Sequence, residues 1–330
     1  MTVIAGLDIG GTKCAVLLGK SAGLEIETIE RIQFPTPDTP EKAIGKMTDT
    51  LDGLLEKHQI SDIAAIGISC GGPLNSGKGM ILSPPNLPGW ENIEIVKQLE
   101  EYYNIPVALQ NDANAGAMAE WRWGAGKGTK NMIFLTFGTG MGAGLILNGR
   151  LYSGTNDLAG EVGHIRLAED GPVGFGKSGS FEGFCSGGGI AKLATKMAKE
   201  AIEQSNPPSY CENVDQLENI TAKKVGEAAR GGDELAHKVF SIVGFRLGRA
   251  LSLLVDILNP EKIIIGSIYG RQQEILEPIV RKELASEAIS LSLSVCEVSP
   301  TGLGEKIGDL ASFSVALLAL ENSQRNEIDP

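Results

Sequence analysis

The sequence predicts an α/β protein in which helices cover a central β-sheet, and two observations lead to this class. Short apolar runs of strand length alternate with longer segments whose apolar residues recur at helical spacing, which is typical of layered α/β domains. In addition, two similar glycine-containing turns, at residues 8–13 and 137–142, each join a pair of apolar runs. The length of 330 residues suits two domains or one large one, and the repeated hairpin indicates a duplicated domain.

The first half of the chain alternates strands and helices. Apolar runs predict strands at residues 3–7, 14–18, 25–34, 63–69 and 107–110, and helical spacing predicts helices at 40–58, 93–103 and 113–123. The second hairpin follows, with strands at 132–137 and 143–149.

The second half is mainly helical. Helices are predicted at 190–203, 221–230 and 234–258, with an exposed connection marked by paired prolines at 206–219. A βαβ-like unit comprises a strand at 262–265, a helix at 271–285 and a strand at 293–298, and a closing helix covers 309–320. The polar tail, residues 321–330, is expected to fray.

Composition argues against two classes of partner. A formal net charge of −12 argues against nucleic acid, because phosphate backbones are bound by clustered Lys and Arg. No apolar run reaches the length of a membrane span, and no signal peptide is recognisable. Five scattered cysteines without C-x-x-C spacing fit free thiols in a reducing compartment. We therefore expect a cytoplasmic protein without nucleic-acid or membrane partners.

The two glycine turns are candidate phosphate-binding sites. The first turn contains Asp8, Gly10, Gly11, Thr12 and Lys13, and the second contains Gly138, Thr139 and Gly140. Glycines at a hairpin tip let backbone N–H groups approach a phosphate without a Cβ in the way. Asp8 offers a carboxylate for the Mg²⁺ that accompanies a nucleotide. The alternative is two unrelated turns, since Gly-Gly and Gly-Thr turns are common.

A second polar group lies at Asn111-Asp112, where a predicted strand ends and a helix begins. A carboxylate at this place feels the helix N-terminus and faces the crevice at the carboxyl end of the strand. The alternative is a simple N-cap, for which Asn and Asp are well suited. Asn114 in the same first turn favours a ligand-facing site.

Glu161 and His164 form a third candidate group. Three residues apart around a glycine, they can point into one pocket and hydrogen-bond adjacent hydroxyl groups. The other histidines, His58 and His237, lie in polar helical surroundings where solvation is expected. A lone histidine is more often structural or exposed, so the interpretation of His164 depends on its neighbours.

Residues 171–178 match the P-loop pattern G-x-x-x-x-G-K-[ST] letter for letter, but their context does not fit. A P-loop needs a buried strand before it and a helix that opens at the Lys-Ser pair. Here Glu169 and Asp170 precede the pattern, and a glycine-rich stretch that is a poor helix start follows it. We therefore reject a P-loop.

Taken in order, these motifs resemble the ROK family of sugar kinases and related repressors over roughly residues 3–320. The marks are residues 8–13, GISCGGP at 67–73, NLPGW at 86–90, NDANAGAMAE at 111–120, residues 135–144, residues 161–164, Glu182 and NPEKIIIGS at 259–267. Each mark is weak alone, whereas all of them in the right order are a specific signal.

The resemblance implies an actin-like ATPase fold, in which two ribonuclease-H-like domains surround a central cleft. We expect an N-terminal α/β domain of residues 1–112, to which a closing helix in 308–330 returns, and a larger C-terminal α/β domain of residues 113–307. Repressors of the family carry an N-terminal helix-turn-helix extension, whereas this sequence begins on its first predicted strand. DNA binding is therefore not expected.

The resemblance also implies roles for individual residues. Asp112 would be the general base that accepts the proton of the attacking sugar hydroxyl. The sugar would be held by Asn86, Asn111, Asp112, Glu161, His164 and Glu182. Asp8 would serve Mg²⁺ through water. The phosphates of ATP would lie on Gly10, Gly11, Thr12, Lys13, Gly138, Thr139 and Gly140, and the adenosine on Gly266 and Ser267.

One motif of the family is degenerate. Three cysteines and the histidine commonly bind a structural zinc ion there, but the aligned run has Val173, Phe175 and Ser180 in their place. A tetrahedral zinc site needs four good ligands, so no zinc site is expected, and Cys185 with His164 makes only half of one. We expect apolar packing of Val173 and Phe175 to hold this loop instead.

The sequence therefore predicts a glucokinase-like, ATP-dependent kinase that transfers the γ-phosphate to a hydroxyl, expected to be the 6-hydroxyl, of a free hexose or N-acetylhexosamine. Which sugar is left open, although GISCGG followed by Pro73 resembles N-acetylmannosamine kinases, and polyphosphate remains an alternative donor. The other hypotheses are a non-catalytic sugar-binding sensor, favoured by the lost cysteines, and a sugar-independent ATPase on the same fold. The resemblance implies a homodimer or homotetramer.

Overall fold

The computed structural model describes residues 1–23 and 25–328, with side chains described as far as residue 324. Its strands are β1 (Thr2–Ile9), β2 (Lys13–Ala22), β3 (Glu25–Pro35), β4 (Ile66–Cys70), β5 (Leu74–Asn75), β6 (Met80–Ile81), β7 (Val107–Asn111), β8 (Met132–Leu135), β9 (Ala143–Leu147), β10 (Arg150–Leu151), β11 (Val173–Gly174), β12 (Lys177–Ser178), β13 (Lys262–Ile265) and β14 (Glu297–Pro300). Its helices are α1 (Pro40–Lys57), α2 (Ile95–Tyr103), α3 (Asp112–Trp123), α4 (Phe181–Phe184), α5 (Gly187–Glu203), α6 (Ala222–Arg230), α7 (Glu234–Leu258), α8 (Ile268–Arg271), α9 (Gln273–Glu287), α10 (Ser290–Leu293) and α11 (Ile307–Ile328).

Two larger sheets in the described residues share one topology. The strand order is β3-β2-β1-β4-β7 in the first sheet and β10-β9-β8-β13-β14 in the second. In each sheet three consecutive strands pair antiparallel, and two later strands add on in parallel. This repeated order confirms the α/β class and the duplication that the two glycine hairpins indicated.

The two glycine turns occupy the same place in the two sheets. The first joins β1 to β2, with Ile9 opposite Cys14 at the end of the ladder. The second joins β8 to β9, with Leu135 opposite Ala143. Each turn therefore projects from the edge of its sheet where the first strand ends, next to the carboxyl ends of the parallel strands.

Helices α3 and α11 lie between the two sheets and pack on each other. Helix α3 follows the first sheet but packs on β8 and β9, whereas α11 follows the second sheet but packs on β1, β4 and β7. The contact of α11 is close, because a Cβ at Gly67 of β4 would collide with backbone atoms of Ser312 and Ala316. This packing supports the proposed division into residues 1–112 plus 308–330 and residues 113–307.

We refer to β1–β7 with α1, α2 and α11 as the first lobe, and to α3, β8–β14 and α4–α10 as the second lobe. Helix α1 of the first lobe buries Met47, Leu51 and Leu54 on one face, at the spacing expected of an amphipathic helix. In the second lobe, the long α7 packs against α9 and α5. None of the helices in the described ranges is long and apolar enough to cross a bilayer.

Two predicted elements were wrong. The segment 321–328 is the last part of α11 and not a frayed tail, and at its start Glu321 pairs with Arg122 of α3 (Oε1 to Nη2, 2.7 Å). Residues 329–330 of the predicted tail lie outside the described residues. The predicted strand at 293–298 begins only at Glu297, since α10 occupies Ser290–Leu293.

Candidate active site

Asp8 and Asp112 lie at the same edge of the first sheet. Asp8 is the penultimate residue of β1, and Asp112 follows the end of β7, with β4 between the two strands. Burial is the main cause that raises the pKa of Asp8, to about 6, and the charges of Asp112 and Asp309 raise it further. Arg31, which is paired with Asp309 at 2.7 Å, opposes the rise. The cleft thus holds a concentration of negative charge.

Asp112 is held at the first turn of α3. One oxygen of its carboxylate accepts the N–H of Ala113 at 2.8 Å. The side chain is open to solvent from the cleft, yet the protein around it is dense, and this burial raises its pKa despite the backbone N–H donors. A carboxylate with a raised pKa at the carboxyl edge of the parallel strands is well suited to accept a proton.

Asn111 caps α3, as the simpler interpretation of the Asn-Asp pair expected. Its Oδ1 accepts the N–H of Asn114 at 2.7 Å, which leaves its amide group as the donor available to a ligand. Asn114 is buried at 1% exposure and donates to Gln110 (3.1 Å), so it does not face the cleft as we expected. It is part of the packing beneath the site.

Glu161 and His164 stand on a short 3₁₀ turn, Val162–His164, that follows Gly160. Gly160 has φ +91°, and a Cβ there would collide with the carbonyl of Ala143 in β9, so glycine is required for the turn to lie against the sheet. Burial raises the pKa of Glu161, His164 lowers it, and Asp112 raises it. Glu161 is therefore within electrostatic reach of Asp112, as a shared binding pocket requires.

Glu182 belongs to α4, which Ser180 caps by accepting the N–H of Gly183 at 3.1 Å. Its Oε2 accepts the N–H of Met141 in the second glycine turn at 3.2 Å. The charge of Glu182 also raises the pKa of Glu161. Glu182 thus lies between the predicted sugar residues and the predicted phosphate turn.

The first glycine turn is tight and lies against Asn86. The N–H of Gly10 donates to the carbonyl of Lys13 at 3.0 Å, and the hydroxyl of Thr36 donates to the carbonyl of Gly10 at 2.6 Å. A Cβ at Gly11 would collide with the backbone of Asn86. The turn therefore leaves Thr12 and Lys13 exposed and brings Asn86 to the same edge of the sheet as Asp8.

The second glycine turn forms one wall of a cavity of about 1020 Å³. The carbonyl of Gly138 accepts the N–H of Gly187 at 2.7 Å, and that of Phe137 accepts the N–H of Ile268 at 2.9 Å. Gly138, Thr139 and Ser267 line the cavity together. Of the other predicted residues, Gly140 contacts Glu182, and Gly266 immediately precedes Ser267.

Ser267 has a conformation that is strained for a residue with a side chain. Its φ is 49° and its ψ is −102°, in the left-handed half of the backbone map. Such residues cluster at ligand sites, where the surrounding structure holds the strain. The strained turn between β13 and α8 therefore supports the assignment of Ser267 to a binding site.

The sequence did not reveal several residues of this cavity. Gly187 and Gly188 begin α5, a helix expected to start only at residue 190, and the cavity also contains Thr221, Lys223 and Arg271. A signal for the helix start was present, because Ser186 accepts the N–H of Gly189 at 3.0 Å as an N-cap. Because Gly187 and Gly189 donate their N–H groups to Gly138 and Ser186, the N–H of Gly188 is the one left among the described residues to favour an anion at the start of α5.

The P-loop match is confirmed as accidental, because Lys177 and Ser178 form β12 of a two-stranded hairpin and do not open a helix. The expectation that Val173 and Phe175 hold this loop by apolar packing was wrong. Val173 is 43% exposed and Phe175 is 66% exposed, although the Phe175 ring lies edge-on to the His164 ring at 4.9 Å.

Cationic side chains hold the loop instead. The ammonium of Lys177 donates to the carbonyl of His164, that of Lys192 donates to the carbonyl of Val173, and Arg166 donates to the carbonyl of Ser178, each at 2.8 Å. Cys185 lies elsewhere, with its buried thiol directed at the carbonyl of Val243. Lys177 therefore fixes the backbone of His164 directly.

Comparison with known proteins decides the family. The model of the ROK family matches residues 4–317. This protein belongs to the ROK family. The ROK chain is 34% identical over 309 residues to a glucokinase from Halalkalibacterium halodurans, with 92% of this chain and 91% of the relative covered. Over 290 residues it is 31% identical to N-acetylmannosamine kinase from Escherichia coli, with 87% of this chain and 89% of the relative covered.

A solved ROK structure also matches over its whole length. It is a ROK-family glucokinase from Streptomyces griseus in complex with glucose and AMPPNP, with a TM-score of 0.76 and 29% identity, covering 96% of this chain and 99% of that chain. These findings confirm the resemblance and the fold. The ROK protein has the actin-like ATPase fold, with two ribonuclease-H-like domains around a central cleft.

Proposed function

We propose that this protein, a carbohydrate kinase of the ROK family, transfers the γ-phosphate of ATP to the 6-hydroxyl of a free hexose or N-acetylhexosamine. The observation that carries the proposal is the position of Asp112. It lies at the carboxyl edge of the first sheet within electrostatic reach of both Asp8 and Glu161. A proton acceptor, a candidate metal residue and a candidate sugar residue therefore meet in one cleft.

Asp112 is the general base in this proposal. A carboxylate is a weak base toward a ground-state alcohol, but the hydroxyl becomes acidic as its oxygen bonds to phosphorus, and the proton then passes to Asp112. The raised pKa of Asp112 makes this transfer easier than it is to an ordinary aspartate. Asn86, Asn111, Glu161, His164 and Glu182 orient the sugar so that one hydroxyl faces the γ-phosphate.

The nucleotide occupies the cavity of about 1020 Å³ beside the second glycine turn. Its adenosine lies toward Gly266 and Ser267, and its phosphates extend between the turns at residues 10–13 and 138–140. The dipole of α5 and the N–H of Gly188 at its N-terminus add a favourable field for the phosphates. Phosphoryl transfer depends mainly on such positioning and charge neutralisation.

The residues of the cleft fit a magnesium ion at Asp8. The carboxylate is partly buried near two other acids, Asp112 and Asp309, and its pKa is raised to about 6, so a cation there would relieve unfavourable charge. Asp8 would hold Mg²⁺ through water. The ion supplies neutralisation of the phosphate charge when it is bound.

A panel of free sugars with ATP and Mg²⁺, read by ADP release, tests the proposal. We expect sugar-dependent release with at least one hexose or N-acetylhexosamine, and NMR of the product to show the new phosphate on the 6-oxygen. Replacing ATP by polyphosphate in the same panel identifies the donor. Turnover of none of these sugars, with either donor, would contradict the proposal.

Two other outcomes of this panel point to other functions. Sugar binding by calorimetry without turnover indicates a sensor on the same fold, the hypothesis that the degenerate zinc motif favours. ADP release that does not depend on sugar indicates an ATPase. The grouping of Glu161 and His164 near Asp112 favours the kinase over both.

Lys177→Met tests whether Lys177 positions His164 for sugar binding. Methionine keeps the unbranched apolar part of the side chain but removes the ammonium that donates to the carbonyl of His164. Because a partly exposed hydrogen bond from a charged donor contributes about 1 kcal/mol, we expect the sugar KM to rise about fivefold. The KM for ATP should not change. Lys196→Met, at an exposed position of α5, is the matched control, and an unaltered sugar KM in Lys177→Met would refute this role.

Assembly and location complete the proposal. The protein is proposed to be a cytoplasmic homodimer or homotetramer, and light scattering determines its mass in solution. The five cysteines all lie in the described part of the chain and are free thiols there, in keeping with a reducing compartment.

A further inference from the structure

Ser76 of the first lobe and Asp157 of the second lobe, which are 81 positions apart in the chain, form a hydrogen-bonded pair between the lobes. The carboxylate of Asp157 accepts the backbone N–H of Ser76 at 2.8 Å with one oxygen and the hydroxyl of Ser76 at 2.7 Å with the other. Both carboxylate oxygens of Asp157 therefore accept hydrogen bonds from Ser76. Hydrogen bonds to an ionised acceptor are stronger than neutral ones.

Ser76 is rigidly attached to the first lobe. It lies in the β5–β6 hairpin, which is anchored by the buried side chains of Leu74 and Ile81. Within the hairpin, Asn75 Oδ1 accepts the N–H of Lys78 at 2.8 Å. The N–H of Ser76 is thus presented to the cleft by a closed turn and not by a loose loop.

Asp157 is equally well attached to the second lobe. The loop that carries it is closed by the N–H of Ala159, which donates to the carbonyl of Ser153 at 3.1 Å, and it joins β9 through the carbonyl of Gly160. Asp157 itself has φ 62°, in the left-handed region, where glycine would be the least strained residue. The backbone of residue 157 would suit glycine, yet an aspartate occupies it and its side chain reaches Ser76 in the other lobe.

The loop of Asp157 leads directly into Glu161 and His164. The position of Asp157 relative to Ser76 therefore sets how these two residues face Asp112 on the other side of the cleft. We propose that Asp157 is a positioning residue which, through Ser76, holds the lobes together over the sugar and sets the affinity for it. This inference rests on the proposed sugar-kinase function and extends it to a residue outside the predicted site.

Kinetics of Asp157→Gly, Ser76→Ala and the double variant test the proposal. Glycine suits the backbone of residue 157, so Asp157→Gly removes the carboxylate without straining the chain, and its melting temperature should fall only slightly, by the lost contact with Ser76. Because the closed arrangement becomes less populated, we expect the sugar KM to rise about tenfold in Asp157→Gly and about threefold in Ser76→Ala. The KM for ATP should stay within about twofold, since neither Ser76 nor Asp157 lines the nucleotide cavity.

The double variant separates a direct contact from two unrelated effects. If Ser76 acts through Asp157, the double variant has the sugar KM of Asp157→Gly alone, because the serine then has no partner to lose. Additive effects, or a sugar KM in Asp157→Gly equal to wild type, would overturn the proposal. Lys78→Ala, at an exposed position of the same hairpin, is the control that should keep wild-type constants.

Hydrogen exchange makes the result independent of turnover. In the unliganded protein the amide of Ser76 should exchange at least about tenfold faster in Asp157→Gly than in wild type, because its acceptor is gone. If wild type phosphorylates no sugar, the proposed function fails, and the exchange rate alone then decides on the contact. Equal exchange rates of this amide would overturn the contact whatever the kinetics show.

Discussion

Asp112→Asn is expected to lower kcat for sugar phosphorylation by about 10³-fold, with the sugar KM and the melting temperature close to wild type. Asparagine has the shape of aspartate, and its Oδ1 still accepts the N–H of Ala113 at the start of α3. The amide cannot take up the proton of the attacking hydroxyl. The loss therefore falls on the chemical step and not on binding.

The pH dependence of wild-type activity is a second test of Asp112 as the general base. Burial raises the pKa of Asp112, and the base must be ionised to act. Activity should therefore rise with pH through the raised pKa of Asp112, and the acid limb of kcat/KM should lie at higher pH than an aspartate with its ordinary pKa would give. For the Asp112→Asn variant, the control for loss of one negative charge is Asp49→Asn, at an exposed position of α1. Full kcat in Asp112→Asn would remove Asp112 from the role of base.

The parts of the fold that local chemistry determines could be predicted from the sequence. The glycine hairpins were located correctly because their turns and flanking apolar runs are contiguous, and the structure places them equivalently in the two sheets. The start of α3 at Asp112 followed from capping chemistry in the same way. The predicted tail was wrong because a polar composition does not exclude a helix, and the pairing of Glu321 with the distant Arg122 is not visible in any local pattern.

The candidate site likewise contains residues that local sequence motifs predict and residues that they do not. Asp112, Glu161 and His164 could be proposed from short motifs, and the structure brings Asp112 and His164 within electrostatic reach of Glu161. The helix start at Gly187 was missed because glycines have a low helix propensity, which the N-cap of Ser186 offsets here. The pairing of Ser76 with Asp157 was out of reach, since it joins two loops of different lobes and neither loop carries a motif.

The loop near His164 shows how a resemblance can mislead about physical detail. With the zinc-binding cysteines replaced by Val173 and Phe175, apolar packing was the natural expectation. The structure instead exposes both side chains and holds the loop by lysine and arginine donors on backbone carbonyls. The loop lies at the surface, where a charged donor reaches a carbonyl without the desolvation that a buried charge would require.

Asp8→Asn is expected to abolish most activity and yet to stabilise the unliganded protein. The pKa of Asp8 is raised from 3.8 to about 6 by burial and by the charges of Asp112 and Asp309. Between these two pH values the folded protein keeps a proton that the unfolded chain has lost, so stability falls as pH rises through this window. Above about pH 6 the ionised carboxylate costs about 2 kcal/mol, allowing for the partial solvent access of Asp8.

Asparagine has no charge to lose, so the variant should unfold at higher urea concentration than wild type at pH 7, and the difference should vanish toward pH 4. Its kcat should fall about 10²-fold or more, because the proposed magnesium position loses its carboxylate. Urea unfolding at pH 4 and pH 7, with ADP release at pH 7, measures both effects. An Asp8→Asn protein that is less stable than wild type at pH 7 would show that Asp8 is favourably paired in the empty cleft. Asp8→Asn should thus raise stability and lower kcat. These opposite effects are expected of a residue that serves ligand binding, since its charge is unfavourable until a cation is bound.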